Sequence, residues 1–205
     1  MKIVTNWSNG KLVAEAESFA CRYPEVLFVG PAYSPTVAGG LSASVSPVGS
    51  AGVHRVSFLQ MARQLAQPAL AEFGLAPVST LGVEALASRV AFLARQQDAL
   101  VYFKPVANLP GFSRALARTL RELRLAGVSS TQLSKGSPPA RDLSVLLEDY
   151  EEELSDRSLA DLAILLELAT EAANTGRHRW AGLPVVVLDA DVPTRAHRDL
   201  LEAIT

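Results

Sequence analysis

The chain has 205 residues, enough for one large domain or two small ones. With 49% hydrophobic residues, 20% charged residues and a formal net charge of −2, the composition excludes disorder as the main state and excludes a polybasic protein whose whole surface attracts nucleic acid. One cysteine, Cys21, rules out an intramolecular disulfide, and no Cys/His cluster has the paired spacing of a structural zinc site.

In chain order, Lys2 to Thr5 reads as a short strand, Asn6 to Gly10 as a polar loop, and Lys11 to Tyr23 as a helix stopped by Pro24. Val26 to Val29 is a continuous apolar run ended by Gly30-Pro31, the pattern of a strand buried on both faces of a parallel sheet. Residues 42–52 are small and polar and read as a loop. They precede a predicted strand over Val53 to Phe58 and a helix over Leu59 to Phe73. The character then changes, and 3.6-residue apolar spacing predicts helices over Gly82 to Gln97, Gly111 to Ala126, Arg141 to Leu154 and Leu159 to Ala173. Pro105, Pro110, Gly127 and Pro138-Pro139 mark the breaks. Ser158 with Asp161 three residues on reads as a capping box before the last of these. Leu183 to Asp189 is the clearest buried strand, ending in an acid, and Leu200, Leu201 and Ile204 belong to a closing amphipathic helix without a capping glycine, as expected of a piece of a longer chain.

The longest clearly apolar run, Leu183 to Leu188, is far below the roughly 20 residues that span a bilayer, and the N-terminus lacks an apolar signal stretch. A cytoplasmic protein without a membrane partner is expected. Only four of its 19 basic residues are Lys, which favours the forked, planar contacts that arginine makes to carboxylates and phosphates.

A phosphate-binding loop of the Walker A kind needs Gly-x4-Gly-Lys-[Ser/Thr] between strand and helix, so that backbone N–H groups wrap the phosphates, Lys neutralises them and the hydroxyl holds Mg²⁺. The stretch Thr5 to Leu12 has Gly10 and Lys11 in place, with Thr5 where the first glycine belongs and Leu12 where the hydroxyl belongs. Asp189, at a strand end, occupies the place of a Walker B acid, but Ala190 follows where a second carboxylate would activate water. The segment Phe112 to Leu125 carries Arg114, Arg118, Arg121 and Arg124 beside an apolar stripe. Such a row suits either successive phosphates or acids of a neighbouring helix such as Glu148, Glu151 or Glu152. Histidines 54, 178 and 197 are scattered, Trp7 reads as an aromatic cap, Cys21 as inert core, and no Gly-x-Ser-x-Gly elbow is present. No catalytic residue and no metal ligand set is predicted.

The order of segments carries a resemblance. Thr5 to Leu12 stands where a phosphate loop belongs. Leu27 to Pro31, with Ala38 and Leu41, is similar to a second strand and its helix, and Val56 to Leu59 running into Ala62 to Leu65 to a strand-to-helix "Thr-Phe-x-x-hydrophobic" segment. Asp149-Tyr150, Asp161-Leu162, Val185 to Asp189 and Leu200-Leu201 echo the helices and strand around motif II. In this the chain resembles the N-terminal region of superfamily-one helicases of the UvrD/Rep/RecB type, most closely the inactivated AddB-like subunits of helicase–nuclease complexes.

The resemblance implies an α/β fold with a P-loop NTPase-like parallel sheet, similar to helicase domain 1A, from residues 1–75 plus 180–205. Residues 76–179 would form an inserted all-helical subdomain similar to domain 1B. It also implies a non-catalytic module of a machine for DNA double-strand-break repair and recombination, binding DNA beside an AddA-like helicase–nuclease partner chain. The departures at Thr5, Leu12 and Ala190 leave ATP and Mg²⁺ as a lesser expectation, with Gly10, Lys11 and Asp189 as the degenerate nucleotide site. A nuclease domain would lie further downstream. Two other readings remain at this point: an active P-loop NTPase or helicase, and a protein–protein scaffold without DNA contact.

Overall fold

The computed structural model describes residues 9–30, 52–188 and 192–205. The predicted strand at Lys2 to Thr5, most of the polar loop, Trp7, the segment 31–51 and Asp189 lie outside the described residues. The chain is mixed α/β and divides into two compact units, one of residues 1–66, 169–192 and 199–205, the other of residues 67–168 and 193–198.

The first unit is built on a small parallel sheet. Helix α1 (Asn9–Ala20) leads to strand β1 (Val26–Val29), and β2 (Val53–Val56) and β5 (Val185–Val187) pair with β1 on either side, in the order β2-β1-β5. The registers place Val26 against Val53 and Leu27 against Val185, both parallel. All four residues of β1 are buried, as the unbroken apolar run requires of a strand flanked by two others and covered on its faces. Ala16 and Ala20 of α1 pack on Val26 and Phe28, with Val53, Val186 and Leu188 alongside; the small alanines let the helix lie close to the sheet. Helix α2 (Phe58–Glu72) starts at a reciprocal cap. The Ser57 hydroxyl accepts from the Gln60 N–H at 3.2 Å, and the Gln60 side chain accepts from the Ser57 N–H at 2.8 Å.

The second unit is helical. Its main helices are α3 (Thr80–Gln96), α4 (Phe112–Ala126) and α6 (Pro138–Asp156), with a short α5 (Ser130–Leu133) between the last two. Val90 and Ala94 of α3, Leu116 and Leu120 of α4, and Leu146, Leu147, Tyr150 and Leu154 of α6 form one buried cluster. Each set recurs at three- or four-residue spacing, which lays it along one face of its helix. Helix α4 ends where Gly127 turns to φ 72°, the Gly127 N–H donating to the Arg124 carbonyl and the Val128 N–H to that of Leu123. Glycine is the residue that adopts this left-handed end without a Cβ clash.

Three local expectations are corrected. Pro138-Pro139, read as a break, opens α6, because its first turn needs no N–H partners and proline's fixed φ suits it. Leu159-Ala160, read as helix, forms a two-residue strand β4 paired in parallel with β3 (Ala76–Pro77). Helix α7 (Leu162–Asn174) therefore begins later, and its cap is Asp161 rather than Ser158: one Asp161 oxygen accepts from the N–H groups of Ala163 and Ile164, both at 3.1 Å, while Ser158 sits at φ 52°. The closing helix α8 (Arg195–Ile204) buries Leu200 and Ile204.

Candidate nucleic-acid interface

Helix α4 presents two chemically different arginine environments. Arg114 and Arg118 are exposed, with side chains 81% and 76% accessible. Arg114 lies 3.7 Å from Glu84, and Arg118 pairs at 2.9 Å with Glu122 one turn on. Pairs so open to water are worth under about 1 kcal/mol, so a competing anion displaces them readily. Arg121 is also exposed and has no ion pair among the described residues. Positions 114, 118 and 121 follow i, i+4, i+7 spacing and share one face of the helix.

Arg124 does not join them. It lies four residues after Leu120 and seven after Ala117, both buried, so the helical repeat turns it inward. Its side chain is only 11% accessible; Nε donates to Asp161 at 2.7 Å and Nη1 donates to Glu151. The guanidinium carbon stands 6.0 Å from the Tyr150 ring. Burial opposes the charge of Arg124, but the hydrogen bond it donates to Asp161 and the negative charges of Asp161 and Glu151 outweigh it and push its pKa above the ordinary value. Burial, then the Asp161 charge, hold the Tyr150 phenol well above its usual range. The expected row of four arginines is thus a row of three, with the fourth committed to the fold. Tyr150 and Asp161, singled out separately in the sequence, meet here around Arg124.

The loop that precedes α4 is fixed by a second buried acid. The Asp142 carboxylate of α6 accepts from the Val101 N–H at 3.1 and 3.0 Å and from the Phe103 N–H at 2.8 Å. The Phe103 ring turns inward to Phe112, with centroids 5.8 Å apart, while the Phe103 carbonyl accepts from the N–H groups of Val106 and Ala107, both at 2.9 Å. Val101, Tyr102, Val106 and Leu109 remain exposed. Residue types do not mark this loop: Asp142 is a helix acid like any other, and no spacing rule ties it to residues about forty positions earlier.

Of the nucleotide-site residues, Gly10 and Lys11 lie in the first turn of α1, and Lys11 is exposed. Asp189 lies outside the described residues. In the first unit, a largely apolar cleft of about 750 Å³ runs along β5, lined by Leu12 and Phe19 of α1, Val185 to Val187, and Leu201. Among the described residues no group of three or more His, Cys, Asp or Glu is placed to hold a metal ion, and no helix is long and apolar enough to cross a membrane. No protein-family model matches the chain, and no curated protein matches it either.

Proposed function

We propose that the chain is a non-catalytic, helicase-like module that holds DNA through the exposed face of α4, within a double-strand-break processing assembly of the AddB kind. The observation that carries the reading is the exposed trio Arg114, Arg118 and Arg121 on one helix face, mounted on a helix that the buried Arg124 ties to Asp161. A rigid row of arginines contacts successive phosphates without reading bases, and its affinity comes from released counterions. A parallel sheet layer interrupted by a helical unit suits a P-loop-like frame of this type. The departures from the phosphate loop at Thr5 and Leu12, and Ala190 after the strand acid, make it a frame without ATP hydrolysis, whose motor belongs to an AddA-like partner chain.

The test is fluorescence anisotropy of labelled DNA across a salt series. The reading expects binding that weakens steeply with salt. Replacing Arg114, Arg118 and Arg121 together by Ala lowers affinity and reduces the log–log salt slope by about 2 to 3, one unit or slightly less per lost phosphate contact. An unchanged slope in the triple variant removes this surface from DNA binding. Thermal stabilisation by ATP and Mg²⁺ that disappears in Lys11→Ala would instead favour a nucleotide-binding enzyme.

A further inference from the structure

Two of the three exposed arginines of α4 are already engaged. Arg118 donates from Nε to the Glu122 carboxylate at 2.9 Å, and Arg114 turns its Nε to Glu84 of α3 at 3.7 Å. Arg121 meets no acid among the described residues. A guanidinium grips a phosphate with two N–H groups along one edge of its fork, and each glutamate here faces the edge that includes Nε. Three arginines against two glutamates leave the face one net positive charge.

A carboxylate beside an arginine acts in two opposite ways on an arriving anion. It orders the side chain in advance, which favours binding. It also competes for the same N–H groups and repels the same negative charge, which opposes binding. The geometry decides between them. At 3.7 Å the Arg114–Glu84 contact is too long for a hydrogen bond and leaves the arginine side chain 81% accessible, so little order is gained. The Arg118–Glu122 pair joins two exposed side chains one turn apart on the same helix, and water screens both. Competition therefore outweighs ordering at both positions. Such pairs are weak enough to be displaced, but only by a phosphate that arrives at that arginine.

We propose that Glu84 and Glu122 set the affinity and selectivity of the arginine face, holding Arg114 and Arg118 in reserve and leaving Arg121 as the entry contact. The proposal rests on the DNA-binding reading of α4 and concerns the regulation of that same site. A single small anion engages Arg121 alone and has no second charge with which to displace an acid. A chain of phosphates tethered at Arg121 presents its next groups to Arg118 and Arg114 at high effective concentration, and takes both from their glutamates. The two acids thus screen the face from free anions while yielding to a ligand that carries several phosphates at once.

The test is anisotropy of a labelled oligonucleotide with the full chain at low salt, for Glu84→Gln, Glu122→Gln and the two together. Each single change is expected to tighten binding about twofold to fivefold, the range of an exposed ion pair, and the gain shrinks as salt rises. The gain depends on the partner: Glu122→Gln loses most of its effect in an Arg118→Ala chain, and Glu84→Gln in an Arg114→Ala chain. Inorganic phosphate, added at constant ionic strength, displaces the oligonucleotide from the double variant at lower concentration than from the unaltered chain. Glu148→Gln removes an exposed acid of α6 that has no ion pair among the described residues, and as the control for net charge it tightens binding less. The changes are nearly isosteric, and a circular dichroism melt checks the fold. An equal gain from Glu148→Gln, weaker binding on loss of either acid, equal displacement by phosphate, or no change in a chain that binds DNA overturns the proposal and leaves the arginine row standing. If the Arg114, Arg118 and Arg121 variant keeps its salt slope, or no chain binds DNA at low salt, the DNA reading itself falls and the proposal with it.

Discussion

Arg124 and Asp161, 37 positions apart in the chain, are joined by a 2.7 Å hydrogen bond between side chains that are 11% and 5% accessible. Asp161 Oδ1 accepts from the N–H groups of Ala163 and Ile164 at the start of α7 and, at 3.4 Å, from Arg124 Nη2, while Oδ2 takes the shorter bond from Arg124 Nε, so a single carboxylate both caps a helix and neutralises a cation on α4. Removing one member of a buried pair strands the other. Arg124→Ala is expected to destabilise the chain by about 3 kcal/mol, the low end of the range for such pairs because Asp161 keeps its two backbone donors. Urea unfolding measures this, and a loss below about 1 kcal/mol would mean that solvent reaches the pair freely.

This pair also shows how much the sequence could tell. The spans of β1, α2 and α4 were legible because their apolar periodicity is local, and Val26 to Val29 is found as a strand at the bounds read from sequence. The parallel sheet followed from that unbroken apolar run. All four arginines of α4 fall on spacings of three or four, which by itself groups Arg124 with Arg114. Yet such steps drift around a helix, and the distance to Leu120 and Ala117 decides which way the side chain turns. The β3–β4 pairing was not legible, since two-residue strands have no periodicity and the partners are separated by the helices between Pro77 and Leu159. The anchoring of the α3–α4 loop by Asp142 is hidden too, because the acid's partners are backbone groups, which leave no mark in residue type.

Asp142 yields the second prediction. Asp142→Ala removes the acceptor for the part-buried N–H groups of Val101 and Phe103, and losing these charge-assisted bonds costs up to about 3 kcal/mol in all, less where water replaces the carboxylate. The loop between α3 and α4 should loosen before the helices do. Limited chymotrypsin digestion is expected to cut at Tyr102 or Phe103 in the variant at enzyme levels that leave the unaltered chain intact. Equal resistance in both would show that Phe103 packing on Phe112 suffices to hold the loop.

Acid sensitivity is set in part by Glu153. Hydrogen bonds from Arg89 and Arg157, both at 2.7 Å, hold its carboxyl below the ordinary 4.5. A folded-state pKa lower than the unfolded one means that the stabilisation is fully present above about pH 4.5 and is lost as the pH falls through the lower folded value. Asp149 works the other way. Burial, followed by the charges of Glu152, Glu148 and Glu153, raises its pKa, so its ionised form opposes folding at neutral pH and that penalty lifts on acidification. Glu153→Gln should flatten the decline of unfolding free energy below pH 4.5, and Asp149→Asn should raise stability at neutral pH. Parallel pH profiles for Glu153→Gln and the unaltered chain would show that the two arginines do not act on Glu153 in solution.

His178 gives the first unit its own pH dependence. Its ring lies 5.0 Å from that of Trp180, and its Nδ1 accepts from the Trp180 backbone N–H at 3.2 Å. Burial, and then the Arg179 charge, lower its pKa from 6.5, so the folded chain favours the neutral ring that can accept this bond. Trp180 is buried and its indole N–H has no partner among the described residues, while the ring of His54, hydrogen-bonded to Glu25 at 2.6 Å, has its centroid 5.7 Å from that of Trp180. With the folded pKa below the unfolded one, the contribution of His178 is present above pH 6.5 and is lost as the pH falls through the lower folded value. Protonation also places an imidazolium against the indole and takes away the Nδ1 acceptor. In a Trp7→Phe background, where Trp180 is the remaining tryptophan, its fluorescence is expected to fall on acidification below pH 6.5, and His178→Gln should abolish that step. A step that survives His178→Gln and disappears in His54→Gln would assign the titration to the histidine paired with Glu25.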